Sequence, residues 1–310
     1  FFSEELGSII LSLLFFYRAL SFLMIMQKQW NSFLTVSGAL DNMTSFIKEL
    51  KDGGEVYGSA TFNQFTKSTN LTGVNFSYAE KQVLKDINIS IEKNETIAFV
   101  GESGSGKTTL MNLLTGLIKP SQGQISIDGV DYKEIDIRTL QRRIGYITQE
   151  PVIFTDTIYN NVTFWDLPTE ENKLRFADAL KKAAIYDFID ELSQKEQTLL
   201  GSNGVNLSGG QRQRLSIARE LYKEVDFLMM DEATSALDSE TERAIQNHID
   251  KLKGQYTILI IAHRLSTVKN ADRIVLLKNG MVEGVGSFEQ LINSSDEFKR
   301  MVSLQDFALN

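Results

Sequence analysis

The feature that most constrains this chain is a glycine-rich stretch between an apolar run and a helical pattern. The stretch reads Gly101-Glu102-Ser103-Gly104-Ser105-Gly106-Lys107-Thr108 and fits the pattern of a phosphate-binding loop. Thr96–Val100 before it is apolar, as a buried parallel strand requires. Leu110, Leu113 and Leu114 after it share one face of a helix that Gly116 would end. A loop of small residues between a strand and a helix N-terminus lets backbone N–H groups bind phosphate.

The pattern assigns roles to the residues of this loop. The stretch from Gly101 to Thr109 would surround a polyphosphate with its backbone. Lys107 would reach the β- and γ-phosphates, and the Thr108 hydroxyl would be a ligand of Mg²⁺. An ordinary turn rich in glycine and serine is the alternative. The preceding strand, the spacing and the following helix together argue against that alternative.

The composition excludes several other kinds of site. The chain has 310 residues, a formal net charge of -8, two histidines and no cysteine. Disulfides, thiolate metal ligands and a cysteine nucleophile are therefore absent, and a metal site built from histidines is not expected. The negative charge argues against a nucleic-acid partner held by its phosphates. The length allows one large or two modest domains.

The first 50 residues have a different character from the rest. Residues 6–26 are nearly all apolar, with Arg18 as their one charge. At about 1.5 Å per residue, such a helix crosses a hydrocarbon core of roughly 30 Å. Because a charge in mid-membrane is costly, Arg18 should face protein or water, where it could meet an anionic substrate group. A buried core helix, or an arginine that pairs with a neighbouring carboxylate, is the alternative. From Phe33 to Leu50 apolar residues recur every three or four positions, which indicates an amphipathic continuation.

Beyond residue 70, strand and helix patterns alternate. Two short segments, residues 76–78 and 87–91, are typical of antiparallel strands. Further apolar runs of strand length lie at 124–127, 144–147, 225–230, 257–262 and 273–277. Helical patterns separate them, so we expect a mainly parallel sheet covered on both faces. Residues 151–223 are mostly helical and form an inserted subdomain, in which Ser208 and Gln211 predict a capping box.

A pair of acids follows one of the predicted buried strands. Asp231 and Glu232 come directly after Phe227-Leu228-Met229-Met230. Beside a phosphate loop, the Asp231 carboxylate is placed to hold Mg²⁺. The Glu232 carboxylate is placed to polarise a water molecule that attacks the bound phosphate. A positioned general base contributes about 10²–10⁴ in rate. A solvated strand end is the alternative, which the phosphate loop makes the weaker interpretation.

Several short motifs, in order between residues 72 and 292, resemble those of ABC ATPases. They are Phe76-Ser77-Tyr78, Tyr146-Ile147-Thr148-Gln149-Glu150-Pro151, Leu207-Ser208-Gly209-Gly210-Gln211, Ser235-Ala236-Leu237-Asp238 and Ala262-His263-Arg264-Leu265-Ser266-Thr267. The resemblance implies an α/β fold: a P-loop NTPase core of the RecA-like kind with a mainly parallel sheet, an antiparallel β subdomain and the inserted helical subdomain. It implies ATP and Mg²⁺ as cofactors.

The same resemblance implies further site residues. Tyr78 would stack on adenine, Gln149 would touch Mg²⁺ and the attacking water, and His263 would hydrogen-bond the γ-phosphate. With Glu232 and Lys107 these form the expected catalytic set, and Asp231, Thr108 and Gln149 the expected metal ligands. Ser208, Gly209, Gly210 and Gln211 would close over the ATP of a partner subunit in a head-to-tail dimer. Asp238 would lie at the seam.

A membrane helix that leads into the ATPase is similar to exporter-type ABC half-transporters. This implies three parts: residues 1–50, the last transmembrane helix and its cytoplasmic extension; 51–70, a linker; and 71–310, the ATP-binding domain. Residues 154–162 resemble the exporter segment that receives a coupling helix. Two departures stand out. Exporters carry a glutamate upstream of the family's signature motif, which is Leu207-Ser208-Gly209-Gly210-Gln211 here; this chain has Gly201-Ser202-Asn203-Gly204 in that place. A membrane domain needs about six spans rather than one.

The resemblance also implies partners and a place in the cell. The partners would be a second copy or a homologous half-transporter, the remainder of the transmembrane domain, and membrane lipid, with no nucleic acid. The protein would be a multi-pass protein of the inner or plasma membrane with its ATPase in the cytoplasm, and we expect this chain to be a fragment of a longer one. The transported substrate cannot be read from these residues; Arg18 is consistent with an anionic cargo such as a lipid-linked phosphate or acidic glycan.

Two other classes of function remain open at this point. A soluble ABC ATPase that acts on ribosomes or DNA would use residues 6–26 as a core helix. A catalytically silent regulatory domain would bind nucleotide without hydrolysis. The acidic charge argues against the first, and the presence of Lys107, Asp231, Glu232 and His263 argues against the second.

Overall fold

The computed structural model describes residues 2–52, 58–231, 239–262 and 268–307. The chain divides into two compact units, Phe1–Val56 and Tyr57–Asn310. The first contains one long helix, and the second contains all of the strands in the described residues.

The first unit is a single uninterrupted helix, α1, Phe2–Asp52, of 51 residues. Its segment Leu6–Lys51 contains an 18-residue window of mean hydropathy 2.2, none of which is buried. Among the described residues, α1 is the one helix that is long and apolar enough to cross a membrane. The two patterns predicted for residues 6–26 and 33–50 therefore belong to one continuous helix.

The second unit contains an antiparallel sheet of four strands, in the order β2-β1-β4-β5. Its strands are β1, Ser68–Tyr78; β2, Lys81–Glu92; β4, Gln122–Ile127; and β5, Val130–Asp131. The antiparallel strands predicted around Phe76 and Ile87 are the ends of one long pair, β1 and β2. Alternate residues of this sheet, such as Leu71 and Ile89, are buried on one face, as expected for a sheet packed on one side.

The larger sheet has six strands in the order β10-β9-β3-β8-β7-β6. They are β3, Thr96–Val100; β6, Ile144–Ile147; β7, Phe227–Asp231; β8, Thr257–Ile261; β9, Arg273–Lys278; and β10, Met281–Gly286. All neighbouring pairs are parallel except β9 and β10, which are antiparallel. The predicted mainly parallel sheet is confirmed.

Among the described residues, the second unit also contains helices. They are α2, Lys107–Leu114; α3, Ile137–Gln141; α4, Ile158–Thr163; α5, Glu170–Lys182; α6, Tyr186–Asp190; α7, Gly209–Tyr222; α8, Ser239–Leu252; α9, Phe288–Ser294; and α10, Asp296–Phe307, with 3-10 turns at Lys195–Gln197 and Ser202–Gly204. Helices α4 to α7 follow one another between β6 and β7, in the region predicted as the helical subdomain. The central strand β3 places Ala98 and Val100 in the hydrophobic core of one sheet face and Ile97 and Phe99 in that of the other.

Residues just before the predicted start of the ATP-binding domain at residue 71 contact the rest of the second unit. Strand β1 starts at Ser68, and Phe65, within the predicted linker, is fully buried with its ring centroid 4.5 Å from that of Phe227. The carboxylate of Asp128 accepts hydrogen bonds from the backbone N–H of Thr66, Lys67 and Ser68. The residues around Phe65 are polar, and such a composition predicts a linker. It does not reveal that the Phe65 side chain is packed into the folded unit.

Candidate functional site

Four parallel strands bring the predicted site residues to one edge of the large sheet. Phe99 of β3 and Asp231 of β7 both pair with Ile261 of β8. Since neighbouring strands lie about 4.8 Å apart, Asp231 and Phe99 are separated by roughly 10 Å across β8. Ile147 of β6 pairs with Met230, so Gln149 follows at the same edge. In open α/β sheets, ligands bind at the carboxyl ends of the strands.

The loop after β3 has the backbone that its glycines predict. Gly106 precedes α2 with φ 104° and no side chain caps the helix, which leaves the helix N-terminus available to an anion. A Cβ on Gly101 would lie 2.2 Å from the carbonyl oxygen of Leu277, and one on Gly106 would lie 2.6 Å from Cδ2 of Leu84. Gly104, at φ 80°, has nothing within 4 Å of its Cβ position. Gly101 and Gly106 therefore have no room for a Cβ, whereas Gly104 faces open space.

Lys107 and Ser105 show how the loop is built inside. Lys107 is buried, and its Nζ donates to the carbonyl oxygens of Gly101 at 2.8 Å and Glu102 at 2.9 Å. The Ser105 hydroxyl is buried and has no hydrogen-bond partner among the described residues. Buried polar groups are normally paired. An open cradle, an uncapped helix N-terminus and an orphan hydroxyl together fit a polyphosphate ligand. The Thr108 side chain is exposed beside them.

Asp231 has a partner that the sequence patterns did not reveal. The Tyr146 hydroxyl donates to Oδ2 of Asp231 over 3.3 Å. Burial, and then the negative charge of Asp231, raise the pKa of Tyr146, so the hydroxyl keeps its proton at physiological pH. Tyr146 belongs to the motif Tyr146-Ile147-Thr148-Gln149-Glu150-Pro151, whose resemblance to ABC ATPases implies no role for it. Its hydroxyl reaches the acid through the pairing of β6 with β7, which the motif does not reveal.

The side chains at this edge are oxygen donors of the kind that Mg²⁺ prefers. Within the described ranges, no three or more histidine, cysteine or carboxylate side chains are grouped so that they could hold a metal ion by themselves. Mg²⁺ is commonly bound by one or two carboxylates together with substrate phosphates. The Asp231 carboxylate, the Thr108 hydroxyl and the Gln149 amide fit such a site.

Tyr78 lies at the end of β1 and is half exposed. Its ring meets that of Phe76 edge-on, with 4.7 Å between centroids. Tyr78 is therefore not a core residue. An exposed aromatic face can stack on a base, a contact worth about 1–3 kcal/mol.

The segment around the signature motif forms the N-terminus of α7. Gln211 donates its backbone N–H to Ser208 Oγ at 3.2 Å, and Gln211 Oε1 accepts from the Ser208 N–H at 2.8 Å. The predicted capping box is confirmed. Behind it Leu215, Ala218, Leu221 and Tyr222 are buried. Ser208 itself is exposed, Gly209 is half-buried and Gly210 is buried.

Three predicted site residues, Glu232, Asp238 and His263, lie outside the described residues. Glu232 follows β7 directly, and His263 comes two positions after the end of β8. Of the remaining loop positions, Glu102 and Ser103 are exposed and Thr109 is buried.

The strand order, the glycine loop and the acid on a nearby strand end define a phosphate-loop nucleotide-binding domain. A family model described as ABC transporter matches residues 84–235. The ATP-dependent lipid A-core flippase of Francisella tularensis subsp. holarctica (strain OSU18) is 41% identical over 244 residues, which cover 79% of this chain and 40% of the relative. ATP-binding cassette sub-family B member 5 of Mus musculus is 44% identical over 228 residues, 72% of this chain and 18% of the relative.

A solved structure of a bacterial Atm1-family ABC exporter with ATP bound gives a TM-score of 0.78 at 32% identity, over 87% of this chain and 48% of that one. The chain belongs to the ABC transporter family and carries its ATP-binding domain. The matched part spans about 40% of the length of the flippase relatives.

Proposed function

We propose that this domain binds and hydrolyses MgATP at the carboxyl edge of the large sheet. The observation that carries the proposal is the convergence of the Gly101–Thr108 loop, Gln149 and Asp231 at that edge. The loop backbone and the N-terminus of α2 bind the phosphates, and Lys107 exchanges its carbonyl contacts for phosphate oxygens. Tyr78 stacks on adenine.

The chemistry requires a metal site and a base. Thr108, Gln149 and Asp231 hold Mg²⁺, which when bound offsets the charge of the phosphates. Glu232 takes a proton from water as the water oxygen forms a bond to the γ-phosphorus, and the bond from that phosphorus to the departing ADP oxygen breaks. His263 hydrogen-bonds the γ-phosphate. Because Asp231 and Glu232 are adjacent in sequence, the end of β7 supplies both a metal ligand and the general base.

A second copy, or a homologous subunit, completes each site in this proposal. Ser208, Gly209, Gly210 and Gln211 of one subunit close over the γ-phosphate bound by the other, and Asp238 lies at the seam. The exposed position of Ser208 at a helix N-terminus supports this arrangement. Hydrolysis removes the phosphate that joins the two halves, so the dimer opens.

We further propose that ATP turnover drives export or flipping of an amphiphilic substrate across the inner or plasma membrane. Relatives described as lipid A-core flippases and an exporter support this class, as does the apolar helix α1. Residues 1–50 would be the last transmembrane helix and its extension, joined by the segment 51–70 to the cytoplasmic ATPase. Arg18, the one charge in residues 6–26, would face the pathway and favour an anionic, lipid-linked cargo.

Substitution of Glu232 by Gln tests the ATPase proposal. The variant should bind ATP and form a dimer that crosslinking traps, but it should hydrolyse ATP about 10²–10⁴-fold more slowly than the wild type. Glu171→Gln, an exposed position on α5, is the matched control and should hydrolyse at the wild-type rate. Wild-type turnover in Glu232→Gln would remove Glu232 from the role of general base.

The soluble-ATPase alternative makes a different prediction for α1. If α1 crosses a membrane, the full chain should remain with membranes after washing at high salt and high pH, and a chain that begins at residue 58 should be released. Release of the full chain would favour the alternative.

A further inference from the structure

Tyr146 lies on β6, two positions before the level of Asp231 at the end of the neighbouring strand β7. In the parallel pair of β6 and β7, Tyr146 is in register with Met229, and Ile147 with Met230. The ring of Tyr146 packs against the core formed by residues such as Phe99 and Met229. The ring is therefore held by the sheet, and its hydroxyl is carried toward the carboxyl edge.

The hydroxyl meets one oxygen of the Asp231 carboxylate. It donates to Oδ2 over 3.3 Å, at the long end of hydrogen bonds between oxygens. Asp231 is the last residue of β7 and is only partly buried. A donor that the sheet holds in place favours one orientation of the carboxylate oxygen that accepts from it.

We propose that Tyr146 is a positioning residue for the metal-holding carboxylate: its hydroxyl orients Asp231 so that the other carboxylate oxygen is presented to Mg²⁺ bound with ATP. The inference rests on the proposed function of the site. Partners that hydrogen-bond a metal-binding side chain typically contribute a factor of 10–100 to metal affinity. Because the contact is long, the effect should fall near the lower end of this range.

A purely structural tyrosine would behave differently. If the hydroxyl served only the core, its removal would change thermal stability, and it would change nucleotide binding equally with and without Mg²⁺. A positioning role predicts a selective loss of the Mg²⁺-dependent part of binding, with Mg²⁺-free binding unchanged. The separation of these two quantities makes the inference testable by equilibrium binding, independent of turnover.

The experiment compares the full-length wild type with Tyr146→Phe, which keeps the ring and removes the hydroxyl. Binding of a fluorescent ATP analogue is measured in EDTA and then during a Mg²⁺ titration. Tyr146→Phe should bind within about twofold of wild type in EDTA, and the Mg²⁺ concentration for half-maximal enhancement should rise about 10-fold. Tyr132→Phe is the matched control: this tyrosine also donates a hydroxyl hydrogen bond, to the carbonyl oxygen of Leu114 at 3.0 Å. Its Mg²⁺ titration should coincide with that of wild type.

A double-variant cycle keeps the test independent of small changes in stability. In the Asp231→Asn background the acceptor charge is absent, so adding Tyr146→Phe should shift the Mg²⁺ titration no further. An unshifted titration in Tyr146→Phe alone, or an equal shift when it is added to Asp231→Asn, overturns the inference while leaving the ATPase proposal intact. If the wild type shows no Mg²⁺-dependent nucleotide binding at all, the proposed function fails, and this inference fails with it.

Discussion

At the scale of single residues, the loop glycines differ in what they are needed for. Gly101 approaches the carbonyl oxygen of Leu277 on the neighbouring strand, whereas Gly104 faces open space. The first is therefore required by packing within the protein as well as by its backbone, at φ 154°. The second is required by its left-handed backbone, at φ 80°, and by access to the ligand.

This difference predicts unequal effects of alanine at the two positions. Gly101→Ala forces the backbone of β9 to move, and overpacking of this kind costs about 1–3 kcal/mol. Gly104→Ala adds only the cost of a left-handed residue, about 1–2 kcal/mol, with no clash. Urea unfolding at equilibrium should therefore place Gly101→Ala below Gly104→Ala in stability. Equal unfolding midpoints for the two variants would show that the backbone at Leu277 moves away from the added Cβ with little loss of stability.

At the scale of elements, helix α7 is tied to α4 and to the segment before it by a buried arginine. Arg219 donates from Nε to the carbonyl oxygen of Asn161 and from Nη1 to that of Val152, both at 2.7 Å. Its guanidinium lies 5.3 Å from the ring centroid of Phe154 and 5.4 Å from that of Phe164. Among the ion pairs of the described residues, none includes Arg219, and burial lowers its pKa. Arg219 thus holds α7, whose N-cap is Ser208, to the segment that follows Gln149.

Removal of that anchor should destabilise the domain. Arg219→Ala leaves two carbonyl groups without their charged donor, and hydrogen bonds to charged groups contribute about 1.5–3 kcal/mol each. We expect a loss of about 3 kcal/mol or more in the free energy of unfolding, measured by chemical denaturation. Arg219→Lys should recover only part of the loss, because an ammonium cannot reproduce the planar fork of the guanidinium.

Arg138→Ala is a suitable control for this prediction. Arg138 is largely exposed and pairs with Asp136 on α3, and exposed pairs contribute little to stability. Its unfolding curve should overlay that of the wild type. If Arg219→Ala also overlaid it, the carbonyl contacts of Arg219 would not be an anchor.

The elements that the sequence predicted well are those whose pattern is decided locally. The strands β3 and β6 match their predicted bounds, because runs such as Thr96–Val100 are apolar throughout. The strands β5 and β10 and the helices α3, α9 and α10 were not predicted. Each is short, glycine-containing or weakly patterned, and depends on a neighbour: β10 exists by pairing with β9.

The site follows the same division. The glycine loop and the acids after β7 were predicted because local spacing identifies them. The contact of Tyr146 with Asp231 and the burial of Ser105 were not, because both depend on strand register and on packing between residues that are distant in the sequence.

At the scale of the whole molecule, the start of the folded ATP-binding unit can be tested directly. Phe65 is buried against Phe227, and its N–H donates to Asp226 at 3.1 Å. A chain that begins at residue 71 loses these contacts and the first three residues of β1. It should be less stable than one that begins at residue 58 by about 3–5 kcal/mol, the usual cost of losing a buried phenylalanine.

Thermal and chemical unfolding of the two fragments check this boundary, with Phe65→Ala in the longer fragment as the matched comparison. Most of the difference should be reproduced by that one substitution. If both fragments unfold together, the segment before residue 71 is a linker, as its composition suggests.

The pairing of β3 has a consequence for synthesis on the ribosome. Thr96 pairs with Ile258 on one side, and Ile97 with Arg273 on the other. At about 5–20 residues per second, the strand before the glycine loop waits on the order of ten seconds for neighbours. During that interval the nascent chain has the loop, but β3 lacks both of the strands that flank it in the large sheet. Nucleotide bound by the loop can therefore stabilise the fold only after translation has passed β8, and a product that stops earlier should gain no stability from ATP.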